Sequence, residues 1–183
     1  QHLLYNKSRI LYGLNFTKEE IRSKKEAILV EGYFDVLLSW QHGTKNVVAP
    51  CGTSLGNSHI NLLKRFTQSL ILSFDRDSAG MRAAKRATIL AQKRGFEIKV
   101  LVLDKQKDPA DVIKEDERKW ERILSQKKDA LSFFYENAIN KWEKTTLQGK
   151  KEILNFFLPI LCSTKDKIKI QEWIQKISFD MKL

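Results

Sequence analysis

Six carboxylates occur where a short apolar run gives way to a polar loop. Glu31 follows AILV (27–30), and Asp35 comes four residues later. Asp75 and Asp77 follow LILSF (70–74), separated by one residue. Asp108 and Asp111 lie in DKQKDPADVI, after KVLVL (99–103). Carboxylates held close together repel, and the arrangement is unfavourable until a cation neutralises it. An all-oxygen set with no His or Cys nearby suits a hard cation, Mg2+ first and Mn2+ second. Mg2+ keeps several waters and bridges a few carboxylates to phosphate oxygens, so the chemistry expected is two-metal phosphoryl or nucleotidyl transfer. Any single acid has a plainer use: Asp77 or Ser78 would serve as cap of the helix that follows.

For these acids to meet, the chain must bring distant loops to one place. The runs AILV, NVVAPCG (46–52), LILSF and KVLVL alternate with segments of helical spacing. FDVLLSWQHG (34–43) stops at Gly43, and NSHINLLKRF (57–66) has Asn57 or Ser58 as a cap. An Ala-rich stretch over 79–94 ends at Gly95, and ADVIKEDERKWERIL is helical again. This alternation predicts βαβ units and a parallel sheet with right-handed crossovers. Runs apolar at every position suit strands covered on both faces. All strand C-termini then share one edge, where the acids converge beside the small polar loop Gly52-Thr53-Ser54.

Residues 3–26 read as a helix-leaning entry segment. From about residue 118 the strand signals stop. DALSFFYENAINKW places Leu131, Phe133, Phe134, Ala138 and Trp142 at helical spacing. KKEILNFFLPIL and KDKIKIQEWIQKI are two more amphipathic segments, and Pro159 should kink or end the first. Residues 118–183 therefore read as a small all-α bundle.

Composition narrows the class. With 183 residues, 42% of them hydrophobic, the chain can bury a core. No apolar run reaches the roughly 20 residues of a membrane helix, and the start shows no secretory signal. It also lacks an initiator Met, as expected of a piece of a longer protein. Cys51 and Cys162 lie far apart and His2, His42 and His59 are scattered, which argues against a structural zinc site and fits a reducing cytoplasm. The net charge of +11 is concentrated in the flanks, because the middle holds half of the acids and is nearly balanced. Such flanks favour a polyanion, although lysine also simply solvates surfaces.

A Glu after the first strand and an Asp-x-Asp after the third, in a sheet of this layout, resemble the Toprim domain. The longer strings VEGYFDV (30–36), CGTSL (51–55), FDRDSAGMRAAKRA (74–87) and KDPADVI (107–113) are similar to the bacterial DnaG-type primases. So are the entry segment NKSRILYGL (6–14) and the closing FLPILCSTKDKIKIQEWI. The resemblance covers nearly the whole chain. It implies an α/β fold, a Toprim-type, mostly parallel sheet with flanking helices, followed by the helical bundle. It also implies the end of a basic subdomain over 1–26, a metal-binding catalytic domain over 27–117 and a helical subdomain over 118–183.

The resemblance implies Glu31, Asp75 and Asp77 as metal ligands and catalytic residues, with Asp108 supporting the site and Asp35 at its margin. Lys7, Arg82 and Arg86 are implied in handling template or nucleotide. The chain reads DPAD where many of the family read DPD, which moves the second acid to Asp111. The implied activity is synthesis of short RNA primers on DNA in replication, with Mg2+ or Mn2+ as cofactor. Single-stranded DNA, ribonucleoside triphosphates and the RNA primer are the implied ligands, in the cytoplasm and away from membranes. The family's zinc and helicase-binding domains are not in this chain. Alternatives are another Toprim enzyme, a nuclease or a topoisomerase, or a module that binds metal and nucleotide without polymerising. A topoisomerase needs a nucleophilic tyrosine in a separate domain, which Tyr5, Tyr12, Tyr33 and Tyr135 do not have. Trp40, Trp120, Trp142 and Trp173 read as core or interface, Cys51 as no nucleophile, and the lysines at 127–128 and 150–151 as solvated helix faces.

Overall fold

A computed structural model describes residues 6–75, 77–104 and 107–183. After a 3-10 turn at Lys7–Arg9 come β1 (Leu11–Tyr12), α1 (Leu14–Lys24), β2 (Ala27–Leu29), α2 (Tyr33–Gln41), β3 (Val47–Pro50) and α3 (Asn57–Leu63). Then follow β4 (Ser69–Leu72), α4 (Ser78–Gln92), β5 (Glu97–Val100), α5 (Pro109–Glu115) and α6 (Glu117–Ser125). The chain closes with β6 (Lys128–Asp129), α7 (Ala130–Lys141), α8 (Leu147–Leu161) and α9 (Lys167–Met181).

The strands form one sheet in the order β1-β3-β2-β4-β5-β6. The four central strands are parallel, and the two-residue edge strands β1 and β6 run antiparallel. Successive side chains of a strand point to opposite faces. Ala27 and Leu29 of β2 accordingly join Leu70 and Leu72 of β4 in a core shared with α3 and α4 and, beyond them, α7, α8 and α9. Ile28 and Val30 join Ile71 in a smaller core under α2, α5 and α6. Both faces are covered, which is why the runs of β2, β3 and β4 are apolar with little alternation, whereas β5 alternates (Glu97, Ile98, Lys99, Val100).

Several boundaries differ from the sequence expectation. The fourth parallel strand is Glu97–Val100, earlier than KVLVL, because its ladder pairs Ser69–Leu72 with Glu97–Val100. Leu101 and Leu103 are buried after the strand, in the smaller core. ADVIKEDERKWERIL is two helices, broken at Asp116. That residue is extended (φ −159, ψ 103), and its carboxylate accepts the Arg118 N–H at 3.0 Å, capping α6. Strand structure also continues past 118, because β6 pairs with β5. α3 is capped by neither Asn57 nor Ser58; the cap is Gly56, whose N–H donates to His59 Nδ1 at 3.1 Å. α8 carries Pro159 within it and ends two residues later.

Of the tryptophans, Trp120 and Trp173 are core. Trp142 is half-buried against Phe156, with ring centroids 5.6 Å apart. Trp40 is not core: it is 38% exposed, edge-on to Phe16 and beneath Lys45. Lys127 and Lys128 are not on a helix face either; they pair with Glu26 at 2.6 Å and Glu136 at 2.7 Å. The bundle grips α4 directly. Lys85 donates to the Phe156 carbonyl at 2.6 Å, and Ser163 Oγ bonds Gln92 Oε1 at 2.7 Å.

Trp120 has no exposed surface, and its indole N–H donates to Thr44 Oγ1 at 3.0 Å. Trp120→Ala should cost about 3–5 kcal/mol, read as a lowered urea midpoint. A midpoint within error of the wild type would show that α6 adds nothing to the core.

Candidate metal centre

The chain leaves β2, adds β3 on one side, then returns to place β4 on the other side of β2. The point of reversal lies between β2 and β4, and ligands bind α/β sheets at such crevices, beyond the strand C-termini. Glu31 and Asp75 sit there. Leu29 pairs with Leu72 across the two strands. The Ser73 N–H continues the ladder to the Leu29 carbonyl at 2.9 Å. One step further, the Asp75 N–H donates to Glu31 Oε1 at 3.3 Å.

Three further acids, Asp77, Asp108 and Asp35, are held at helix starts. Asp77 caps α4, its Oδ1 accepting the Gly80 N–H at 2.6 Å. The capping use expected for an aspartate at this place is therefore real, and it fixes the side chain at the crevice. Gly80 permits the turn: a Cβ there would lie 2.1 Å from the Asp75 carbonyl oxygen. Asp108 caps α5 through the Asp111 N–H at 2.7 Å. Asp35 is more than marginal. It is 4% exposed, and its carboxylate accepts the Gly32 N–H at 3.0 Å and the Ala110 N–H at 3.1 Å. It thus clamps the loop carrying Glu31 to the helix start carrying Asp108.

The electrostatics show that these loops converge. Burial, then the Asp75 and Asp77 charges, raise the Glu31 carboxyl above its ordinary value. Burial, then the charges of Asp108, Asp77 and Asp111, raise that of Asp75. Asp111, the displaced acid of the DPAD sequence, thus lies within electrostatic reach of the pair. Burial is also the largest influence on Asp35; despite its two N–H partners, it is pushed up to about 6.

A carboxyl raised on folding binds its proton more tightly in the native state, so its contribution to stability falls as pH rises from about 4 to about 6. Asp35→Asn removes that dependence. The stability of wild type relative to Asp35→Asn should therefore drop by about 3 kcal/mol between acid and neutral pH. Urea titrations of both proteins across that range measure it, and parallel curves would contradict the buried, raised carboxyl.

Of the basic residues, Arg86 is brought to the site. With Glu31, Phe74 and the loop Gly52–Leu55 it lines a cavity of about 450 Å3 beside the crevice. Arg82 is exposed on α4 and lies outside that lining. Lys7 is exposed, and its anchored group is the backbone carbonyl, bonded by His59 Nε2 at 3.0 Å. His59 thereby ties the entry segment to α3, a role that scattered histidines did not signal. Arg76, between the two aspartates, is outside the described residues, as is Tyr5.

Among the described residues, no group of three or more His, Cys, Asp or Glu side chains is arranged to hold an ion unaided. The donor chemistry still fits a hard cation. The carboxylates are all-oxygen, mutually repelling and partly desolvated, and an octahedral Mg2+ completes its shell with water and phosphate oxygens.

A Glu and an Asp-x-Asp facing each other across the central strands of such a sheet define a Toprim-like domain, and residues 28–113 match the family described as Toprim-like. The chain is 34% identical over 182 residues to the DNA primase of Campylobacter jejuni, covering 99% of this chain and 27% of that one. A crystal structure of a DNA primase domain from Pseudomonas aeruginosa superposes with a TM-score of 0.83 at 28% identity, over 100% of this chain and 59% of that one. A DnaG primase catalytic domain bound to single-stranded DNA superposes at 0.81 with 25% identity, over 97% and 59%. The chain belongs to the family of bacterial DnaG-type primases. It spans about a quarter of the length of the Campylobacter relative.

Proposed function

We propose that the chain is the acid-bearing part of an enzyme that joins ribonucleotides into short primers on a single-stranded DNA template during bacterial chromosome replication. The meeting of Glu31 and Asp75 at the sheet's reversal point, with Asp77, Asp108 and Asp111 within electrostatic reach, carries the reading. The DNA-bound relative adds that a domain of this fold takes single-stranded DNA.

Glu31, Asp75 and Asp77 would hold Mg2+, or Mn2+ in its place. Bound there, the ion supplies positive charge to a triphosphate and lowers the pKa of a hydroxyl nucleophile. The protein's own part is positioning and preorganised charge. Glu31 fixes the Asp75 backbone, Gly80 and Asp77 fix the turn, and Asp35 fixes the α5 start. Arg86 presents a cation to the cavity beside Glu31, suited to triphosphate oxygens. Arg82 and Lys7 are assigned to template or nucleotide at the periphery of the site. Residues 27–117 carry the catalytic acids, 118–183 brace them, and 1–26 lead in from a basic subdomain. Among the described residues no helix is long and apolar enough to cross a membrane, in keeping with work at a cytoplasmic replication fork.

The test uses the full-length protein containing this chain, a single-stranded template and labelled ribonucleoside triphosphates. Templated incorporation is expected, and Glu31→Gln should reduce it by about 100-fold or more. Cleavage of the template without incorporation would overturn the reading in favour of a nuclease. The 183-residue chain alone should bind Mn2+ without polymerising, because it spans only about a quarter of the length of the Campylobacter primase.

A further inference from the structure

The sheet edge opposite the acids has another character. β2, β4 and β5 begin there, and α1, α3 and α4 end there. Each of these helix ends leads into basic residues: Lys25 after α1, Lys64 and Arg65 after α3, Lys93 and Arg94 after α4. Lys25, Lys64 and Arg65 line a concavity of about 500 Å3, together with Gly95 and Glu97.

Cations near helix C-termini are expected on simple grounds, because they offset the negative end of the dipole. The numbers exceed that need. Three termini amount to about −1.5 charges in all, against the five cations just named. Among the described residues none of the five is in an ion pair. The Lys64 ammonium is spent on the Arg94 carbonyl, and Arg94 Nε on Asn61 Oδ1 at 3.0 Å. Nearby Arg22 and Lys24 are, by contrast, neutralised by Glu19 at 2.7 Å and Glu20 at 3.1 Å. The acid in the concavity, Glu97, lies 3.9 Å from Lys99. Lys25, Arg65 and Lys93 are therefore left exposed with their full charge.

We infer that this edge is a second nucleic-acid surface, which binds the phosphate backbone of a single strand without reading its sequence. Exposed, unpaired cations spread over three helix ends suit a chain of phosphates better than one compact anion. At about 3.3 Å per residue, the path from Thr67 through β4 to Asp75 puts this surface up to roughly 26 Å from the acids. One strand could thus be held at both edges. The choice of nucleic acid among polyanions rests on the function proposed above.

The experiment measures binding of labelled oligodeoxythymidylate to the chain across a salt series, by fluorescence anisotropy. The test protein carries Lys25→Gln, Arg65→Gln and Lys93→Gln, three exposed changes at helix ends that should lower Tm only slightly. Losing three phosphate contacts should make the slope of log affinity against log salt shallower by about 2, with affinity down about tenfold or more at low salt. An unchanged slope would overturn the inference. So would competition by oligoglutamate of equal charge as effective as that by unlabelled oligonucleotide, which would mark a site for an acidic peptide. The Glu31→Gln chain retains all three cations and should bind the oligonucleotide with the wild-type slope, so a failure of the metal assignment is read separately, from its Mn2+ affinity.

Discussion

Titration with Mn2+ should raise the Tm of the chain, and the pair Glu31→Gln, Asp75→Asn should abolish the rise while making the metal-free protein more stable. Both effects have one origin. Burial and mutual repulsion raise the Glu31 and Asp75 carboxyls, so their ionised forms oppose folding at neutral pH. A cation removes that opposition and binds only where the acids are assembled. At a free ion concentration a hundred times Kd, ligand linkage supplies about 2.7 kcal/mol, or about 5–10 °C for a chain of this size. In the double variant the Asp75 N–H still finds an oxygen on residue 31, so the loop geometry survives while the charge is gone. A variant that responds to Mn2+ as the wild type does would place the ion elsewhere.

Gly80→Ala should do nearly as much damage from a position that carries no functional group. Its new Cβ would fall 2.1 Å from the Asp75 carbonyl oxygen and 3.1 Å from the Asp75 nitrogen. These are backbone atoms, so rotation of a side chain cannot relieve the contact. Either the first turn of α4 lifts away and loses the Asp77 cap, or the Asp75 loop moves off Glu31. Overpacking of this kind costs about 1–3 kcal/mol. The accompanying displacement should weaken Mn2+ affinity by about tenfold. Thermal unfolding measures the first effect and calorimetry the second. A variant with wild-type Tm and affinity would show that the turn tolerates the methyl group.

Where the acids would gather was legible because parallel topology puts every strand C-terminus on one edge, and the runs before Glu31 and Asp75 were apolar but for Ser73. What escaped depended on partners distant in sequence. Asp35 lies in the first turn of α2, yet its second N–H partner, Ala110, is 75 residues away. The break between α5 and α6 has neither proline nor glycine to announce it; Asp116 simply leaves the helix and caps the next. β6 is two residues long and exists only because β5 offers it an edge. Trp40 read as core or interface on residue type alone, and its 38% exposure, with Phe16 edge-on and Lys45 over the ring, excludes the core.

The two faces of the sheet are unequally backed. One shares its core with α3, α4 and the helices from α7 onward, while the other has only α2, α5 and α6. Local opening follows buried apolar contact, so amide protons of α5 and α6 should exchange before those of α4. The acids thus divide by durability. Asp75 and Asp77 sit against the face that opens last, while Asp108 and Asp111 ride on the face that opens first. The crevice should therefore have a firmer jaw and a more yielding one, coupled to each other through the Asp35 clamp.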